Sequence, residues 1–224
     1  MRRYYVHMLA VLTLFAMGCA TGGGDVESEY TTEDFSMTVT DESGFEKNIG
    51  PAEIAYRSAL QFLAAGNYTE AIAQLRNAVG IKPAYLEAWS ELGKTFTKLK
   101  SYEDGIAAFE RALELSPDNE ALIASIAYNY LYIEDYDKAE EYYNKLVTID
   151  EMSYDGNVHL AFIYQKRDNI DKAIEYYERA LVIKTDDAIS MGTLASLYDR
   201  KGDTEKKIEY MRRAIEADPD NFRY

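Results

Sequence analysis

The sequence is poor in the side chains that carry out chemistry. Among 224 residues there is one cysteine, one tryptophan and two histidines. A lone cysteine, Cys19, excludes an internal disulfide framework. Beyond the first 18 residues the chain has a single histidine, His159, and it has no His-Glu-x-x-His helix, phosphate-cradling glycine loop or Gly-x-Ser-x-Gly elbow. Neighbouring acids such as Glu140 and Glu141 fall on different faces of a helix, so they do not form an acid–base pair. An enzyme is not expected, and neither a cofactor nor a metal is called for. Positive charge is also scarce: 24 Lys and Arg stand against 39 Asp and Glu, a formal charge of −15. Without a basic stripe to neutralise phosphates, nucleic acid is excluded as the natural partner. The acid excess reads as a solvated face. Finally, the apolar run Met8–Met17, broken only by Thr13, is too short to span a bilayer.

What the chain does have is repetition. Residues 86–119 read as two amphipathic helices. Trp89, Leu92 and Phe96 recur at helical spacing in the first, with Gly93 beside them; Ile106, Phe109 and Leu113 do so in the second, with the small Gly105 and Ala112. Pro117 stops the second helix, and Asp118-Asn119 offer a cap for another. Steps of 34 residues from Phe96 reach Phe62, Tyr130, Tyr164 and Tyr198, aromatic each time. The same steps from Gly93 reach Ala59, Ala127, Ala161 and Ala195, all small. From Phe109 they reach Leu75, Tyr143, Tyr177 and Met211, and from Ala112 they reach Ala78, Leu146, Ala180 and Ala214. Pro117 has counterparts in Pro83 and Pro219, whereas Glu151 and Thr185 take the other two places. Small residues at a helix crossing let backbones approach, and rings fill the flanks. Trp89 and most tyrosines are therefore expected in the core.

These residues resemble the tetratricopeptide repeat: Trp89-x-x-Leu92-Gly93-x-x-Phe96, then Gly105-x-x-x-Phe109, then Pro117. Gly105 stands where Ala is usual and Phe96 where Tyr is usual. The resemblance implies an all-α, right-handed α-solenoid of five 34-residue helix-turn-helix repeats over 52–85, 86–119, 120–153, 154–187 and 188–221, with 222–224 a remnant. One hairpin cannot bury both faces, so neighbours stack.

The amino terminus reads separately. Arg2 and Arg3 followed by the apolar run fit a secretory signal peptide over residues 1–18. Removing its two arginines takes the formal charge from −15 to −17. Cys19, directly after Gly18, resembles the lipobox of bacterial lipoproteins, with Ala16 where Leu is usual and Met17 where a smaller residue is usual. That resemblance implies acylation of Cys19, and Ala20 after it implies sorting to the outer membrane. The other reading is ordinary cleavage after Ala16-x-Gly18, leaving a free thiol. Residues 19–51, acidic and rich in Gly, Ser and Thr, read as a flexible tether reaching about 30 Å. Within it Phe35, Met37 and Val39 alternate with polar residues, which is either chance or a strand able to join a partner's sheet edge.

The resemblance also implies a groove lined by the first helix of each repeat. By position its residues are Tyr56, Leu60 and Leu63; Ser90, Lys94, Thr97 and Lys98; Ala124, Tyr128 and Tyr132; Val158, Phe162 and Gln165; Gly192, Ser196 and Asp199. Tyr56, Leu60, Ala121 and Ser125 replace the basic and amide residues of a carboxylate clamp, which disfavours that mode. An aromatic groove flanked by Lys94 and Lys98 suits an extended or helical peptide segment of a partner protein. Tyr128 and Phe162 either face the groove or lie between repeats. At the far end Pro219-Asp220-Asn221 repeats the opening of a further unit. Three readings stand: a shortened product, a partner or second copy covering an open edge, or tolerated exposure, favoured by Lys206, Lys207, Arg212 and Arg213. The expected function is a lipid-tethered adaptor of the bacterial envelope that binds protein. By analogy with repeat lipoproteins such as pilotins, it would assist an outer-membrane assembly such as a pilus secretin. The alternative is an accessory subunit presenting a ligand to an enzyme or transporter.

Overall fold

The computed structural model describes residues 37–40 and 46–220. Two short strands come first, β1 (Met37–Thr40) and β2 (Glu46–Ile49), paired antiparallel with Met37 opposite Ile49. Met37 and Val39 of the alternation thus lie in a strand that pairs with β2, while Phe35 falls outside the described residues. Ile49 is buried, and Pro51 opens the first helix at a position where a missing N–H costs nothing.

Ten helices follow among the described residues. They are α1 (Pro51–Ala64), α2 (Tyr68–Ile81), α3 (Leu86–Lys98), α4 (Tyr102–Leu115), α5 (Glu120–Tyr132), α6 (Tyr136–Ile149), α7 (Tyr154–Lys166), α8 (Ile170–Ile183), α9 (Ala188–Lys201) and α10 (Thr204–Ala217). Each packs on the next, giving five stacked hairpins. Polar side chains cap several starts: Asn119, Asp135, Ser153, Asn169 and Asp203 each accept a hydrogen bond from the backbone N–H three residues on. Every hairpin turns through one left-handed residue at the same place in the repeat. These are Gly66, Lys100, Glu134, Asp168 and Gly202, and at the middle three a side chain tolerates what glycine does freely.

The residues that set the period are buried. Ala59, Ala127, Ala161 and Ala195 are at most 1% exposed. At Gly93 a Cβ would stand 2.7 Å from the Phe109 ring, so that crossing is closer than an alanine allows. Gly105 replaces the usual alanine for a local reason. A Cβ there would crowd the Thr97 hydroxyl at 3.0 Å and Asn129 Oδ1 at 3.1 Å, which are hydrogen-bonded to each other at 2.9 Å. Asn129 is fully buried, and its Nδ2 donates to the Ser125 carbonyl at 2.7 Å. A polar link between repeats two and three therefore takes the space of a methyl group.

A second ladder runs along the second helices. Tyr130 stacks on Tyr142, Tyr164 on Tyr176 and Tyr198 on Tyr210, with centroids 5.5–5.7 Å apart. Glu110, from the preceding repeat, accepts from both Tyr130 and Tyr142 at 3.4 and 3.3 Å. One period pair later Glu178 accepts from Tyr198 and Tyr210 at 2.7 and 3.0 Å. Between them Asn144 holds that place, and Tyr164 donates to Glu140 instead, beside Arg167. Trp89 packs against the core as expected, though only partly buried, and its indole N–H donates to the Pro83 carbonyl at 2.8 Å.

Candidate peptide-binding groove

Two clefts open on the side of the first helices. The smaller, 410 Å3, is lined by α3, α5 and α7 through Lys94, Thr97, Lys98, Ala124, Ser125, Tyr128, Asn129, Asp155 and His159, with Phe109 and Tyr143 at its base. The larger, 740 Å3, extends over α5, α7 and α9 and includes Tyr128, Tyr132, Tyr154, Val158, His159, Phe162, Gln165 and Ile189. Tyr128 and His159 belong to both, so the clefts run into one another. Their volumes lie within the roughly 300–1,000 Å3 of typical ligand sites.

Rings dominate the surface. Tyr132 packs on Tyr128 at 4.6 Å and on Tyr102 at 5.0 Å, and it remains 52% exposed. Its hydrogen bond pushes the Tyr128 hydroxyl up to about 12, with burial adding to the effect. His159 stacks on Tyr143 at 4.9 Å. Burial holds its pKa below the ordinary value against the pull of Asp155, so the imidazole is neutral at pH 7. Tyr154 donates to Asp187 at 2.7 Å. Burial would raise that carboxyl, but hydrogen bonds from Ser190 and Tyr154 outweigh it and leave the pKa low. Lys166 lies over the Phe162 ring at 5.2 Å, Lys98 over Tyr68 at 5.0 Å, and Lys94 pairs with Glu91 at 2.8 Å. The buried polar groups are thus committed to one another. The groove offers apolar ring surface with ammonium groups on its rim, beside the carboxylate of Asp155 and the imidazole of His159.

Nine of the sixteen groove residues expected from the repeat pattern come together here: Lys94, Thr97, Lys98, Ala124, Tyr128, Tyr132, Val158, Phe162 and Gln165. Tyr56 and Leu60 line neither cleft; Tyr56 packs against Tyr85 at 5.1 Å, while Leu60 is 37% exposed. Leu63, Ser90, Gly192, Ser196 and Asp199 also lie outside both. The groove residues that pattern reasoning missed are His159, Asp155, Asn129, Tyr154 and Ile189. For His159 a signal exists in its place beside Val158 on α7. Cys19 and the signal segment fall outside the described residues.

Stacked two-helix units with rings along one groove define a repeat scaffold. Family models described as tetratricopeptide repeat match residues 56–120, 122–151 and 152–220, and the chain belongs to that family. Anaphase-promoting complex subunit 3 of Schizosaccharomyces pombe is 30% identical over 86 residues, which are 38% of this chain and 13% of that protein. The peroxisomal targeting signal receptor of Komagataella phaffii is 35% identical over 78 residues, 34% of this chain and 14% of that one. The chain therefore spans about one seventh of the length of these curated relatives. Among solved structures, MamA superposes with a TM-score of 0.71 at 20% identity, covering 78% of this chain and 95% of the other. YrrB, described as a TPR protein with an unusual peptide-binding site, gives 0.65 at 18% identity, covering 75% and 87%. At those identities the likeness is one of fold. Tetratricopeptide repeats form protein-interaction scaffolds, and the chain carries that family's repeats.

Proposed function

We propose that this protein is an adaptor of the bacterial cell envelope, held to the outer membrane by a lipid on Cys19, that captures a peptide segment of a partner protein in its groove. The observation that carries the binding role is the confluence of the two clefts around Tyr128, Tyr132 and Phe162. Rings lose little entropy on binding, and such anchors often contribute ~2 kcal/mol or more each. A receptor for a targeting signal among the relatives, and a structural neighbour described by its peptide-binding site, support the same reading. Tyr132→Ala and Phe162→Ala should weaken partner capture tenfold or more while leaving helix content unchanged. Full capture by folded variants would overturn the groove assignment.

The anchor rests on Arg2, Arg3, the apolar run and Cys19. Several acyl chains hold a protein firmly where one is marginal. Cys19→Ser should release the protein from membranes; a variant that still sediments with them in high salt would refute the lipid reading. A role in assembling an outer-membrane complex such as a pilus secretin predicts loss of secretin multimers on deletion. A bound small molecule in purified protein would favour instead a subunit that presents a ligand. A second reading for α10 follows from Ile208, Met211 and Ile215, which are 46%, 37% and 41% exposed. A second copy of the chain covers that face, and sedimentation of an Ile208→Glu variant as monomer against a wild-type dimer tests it.

A further inference from the structure

The stacked-tyrosine ladder has a gap. Tyr142, Tyr176 and Tyr210 each lay a ring on the aromatic of the first helix in their own repeat. In the second repeat that first-helix aromatic is present as Phe96, but Ala108 stands where the stacking tyrosine belongs. A cleft of 530 Å3 opens there, on the face of the second helices, with Phe96, Trp89, Leu92 and Val79 in its walls and Ala108 at its base. It shares no residue with the two groove clefts.

The polar partner of the missing ring is changed as well. Glu110 and Glu178 receive the tyrosine hydroxyls in the third and fifth repeats. The corresponding place here is Arg76, whose guanidinium lies over the Phe96 ring at 5.6 Å. A group that accepts hydrogen bonds and carries negative charge fits where a donating hydroxyl fits elsewhere. The carboxylates on the same rim are engaged. Glu110 holds Tyr130 and Tyr142, Glu114 pairs with Arg111 at 2.8 Å, and Asp104 sits in the first turn of α4, where the helix end favours an acid.

We propose that this notch is a second docking site, which takes an aromatic side chain of a partner protein flanked by an acidic residue. The ring occupies the place that Tyr142, Tyr176 and Tyr210 fill in their own repeats, and the carboxylate pairs with Arg76. The adaptor then holds one partner segment in the groove and another on its opposite face.

Trp89 is the only tryptophan in the chain and lines the notch, so its fluorescence reports occupancy there. The probe is an acetylated, amidated peptide with one phenylalanine between two glutamates, titrated into the full chain. Two control peptides carry lysines for the glutamates or alanine for the phenylalanine. The expected result is a saturable change in emission with the first peptide, and binding at least tenfold weaker with either control. Ala108→Tyr supplies the missing ring from within, and Arg76→Glu puts here the carboxylate that Glu110 and Glu178 supply to the third and fifth repeats; each should weaken binding tenfold or more. Phe162→Ala, in the groove, should leave it unchanged. Because Arg76 is exposed, that variant keeps the test open if Ala108→Tyr does not fold. Equal binding of the lysine peptide, undiminished binding by Arg76→Glu, or the absence of any saturable change would each overturn the proposal.

Discussion

Helices α8 and α10 present the same stripe to different surroundings. On α8, Ile174, Tyr177 and Leu181 are 5–6% exposed, because α9 packs over them. On α10 the residues one period on, Ile208, Met211 and Ile215, are 37–46% exposed, and no described helix follows. Both stripes are equally apolar by residue type. What turns such a stripe into stabilising burial is the next repeat, as expected where contacts are between neighbours.

The largest test of that contrast is a matched pair of truncations. Leu181→Ala empties a packed site and should cost ~2–5 kcal/mol, whereas Ile215→Ala, already bathed in solvent, should cost less than ~1 kcal/mol. Urea denaturation measures both, and equal losses would show that the α10 face is covered in solution. The contact between the two helices of a repeat offers the next comparison. Gly93→Ala drives a methyl group into the Phe109 ring and should cost ~1–3 kcal/mol. At the end of the array Ala195 and Met211 hold the corresponding places, and Ala195→Gly should cost ~1–2 kcal/mol through helix propensity and the loss of a buried methyl group. A Gly93→Ala melting temperature at the wild-type value would break the comparison.

Acid should sharpen it further, because the titrating groups lie among the inner repeats. His159 is held below 6.5 by burial, so the unfolded chain binds its proton more readily. Stability is then complete above about pH 6.5 and declines as pH falls through the folded-state pKa. Glu140 and Asp187 add a loss at lower pH. Burial raises both, but hydrogen bonds from Tyr164 and Arg167 to Glu140, and from Ser190 and Tyr154 to Asp187, outweigh it. Their contribution is full above the ordinary 4.5 and 3.8 and disappears below the depressed values. Denaturant midpoints measured across this range should show the upper step vanish in His159→Gln while the lower one stays. Smallest of all, Lys207→Ala removes a pair to Asp199 at 2.7 Å between exposed side chains. It should change stability by no more than ~0.5 kcal/mol, read from the same midpoints.

The period and the burial of Ala59, Ala127, Ala161 and Ala195 could be read in the sequence, because a residue repeated every 34 places meets the same neighbours each time. What breaks the period was harder to read. Gly105 reads in the sequence only as a departure from the usual alanine, since nothing local announces that Asn129 and Thr97 meet beside it. Leu60 and Tyr56 occupy the right places in their repeat, yet a groove wall also needs the repeats on either side, and the clefts begin only at α3. Trp89 packs against the core as the family pattern implies, but Ala108 in the following helix lacks the bulk that would close over it, and one side of the indole lines a cleft.

The glutamate clasps on the second-helix face behave as the leaf stops of a spring. Closing a solenoid onto a ligand along its first helices spreads the opposite face, and the Glu110 and Glu178 clasps each resist that spreading with two hydroxyls. At the junction between the third and fourth repeats Asn144 replaces the carboxylate, and the clasp is rebuilt from Glu140, which accepts from Tyr164 and joins Asp137 in pairing with Arg167. That junction lies behind the larger cleft, between Tyr132 and Phe162. The hinge behind the widest opening is thus latched by charge where its neighbours are latched by neutral hydroxyls on one carboxylate, so acid or salt loosens that hinge before the others.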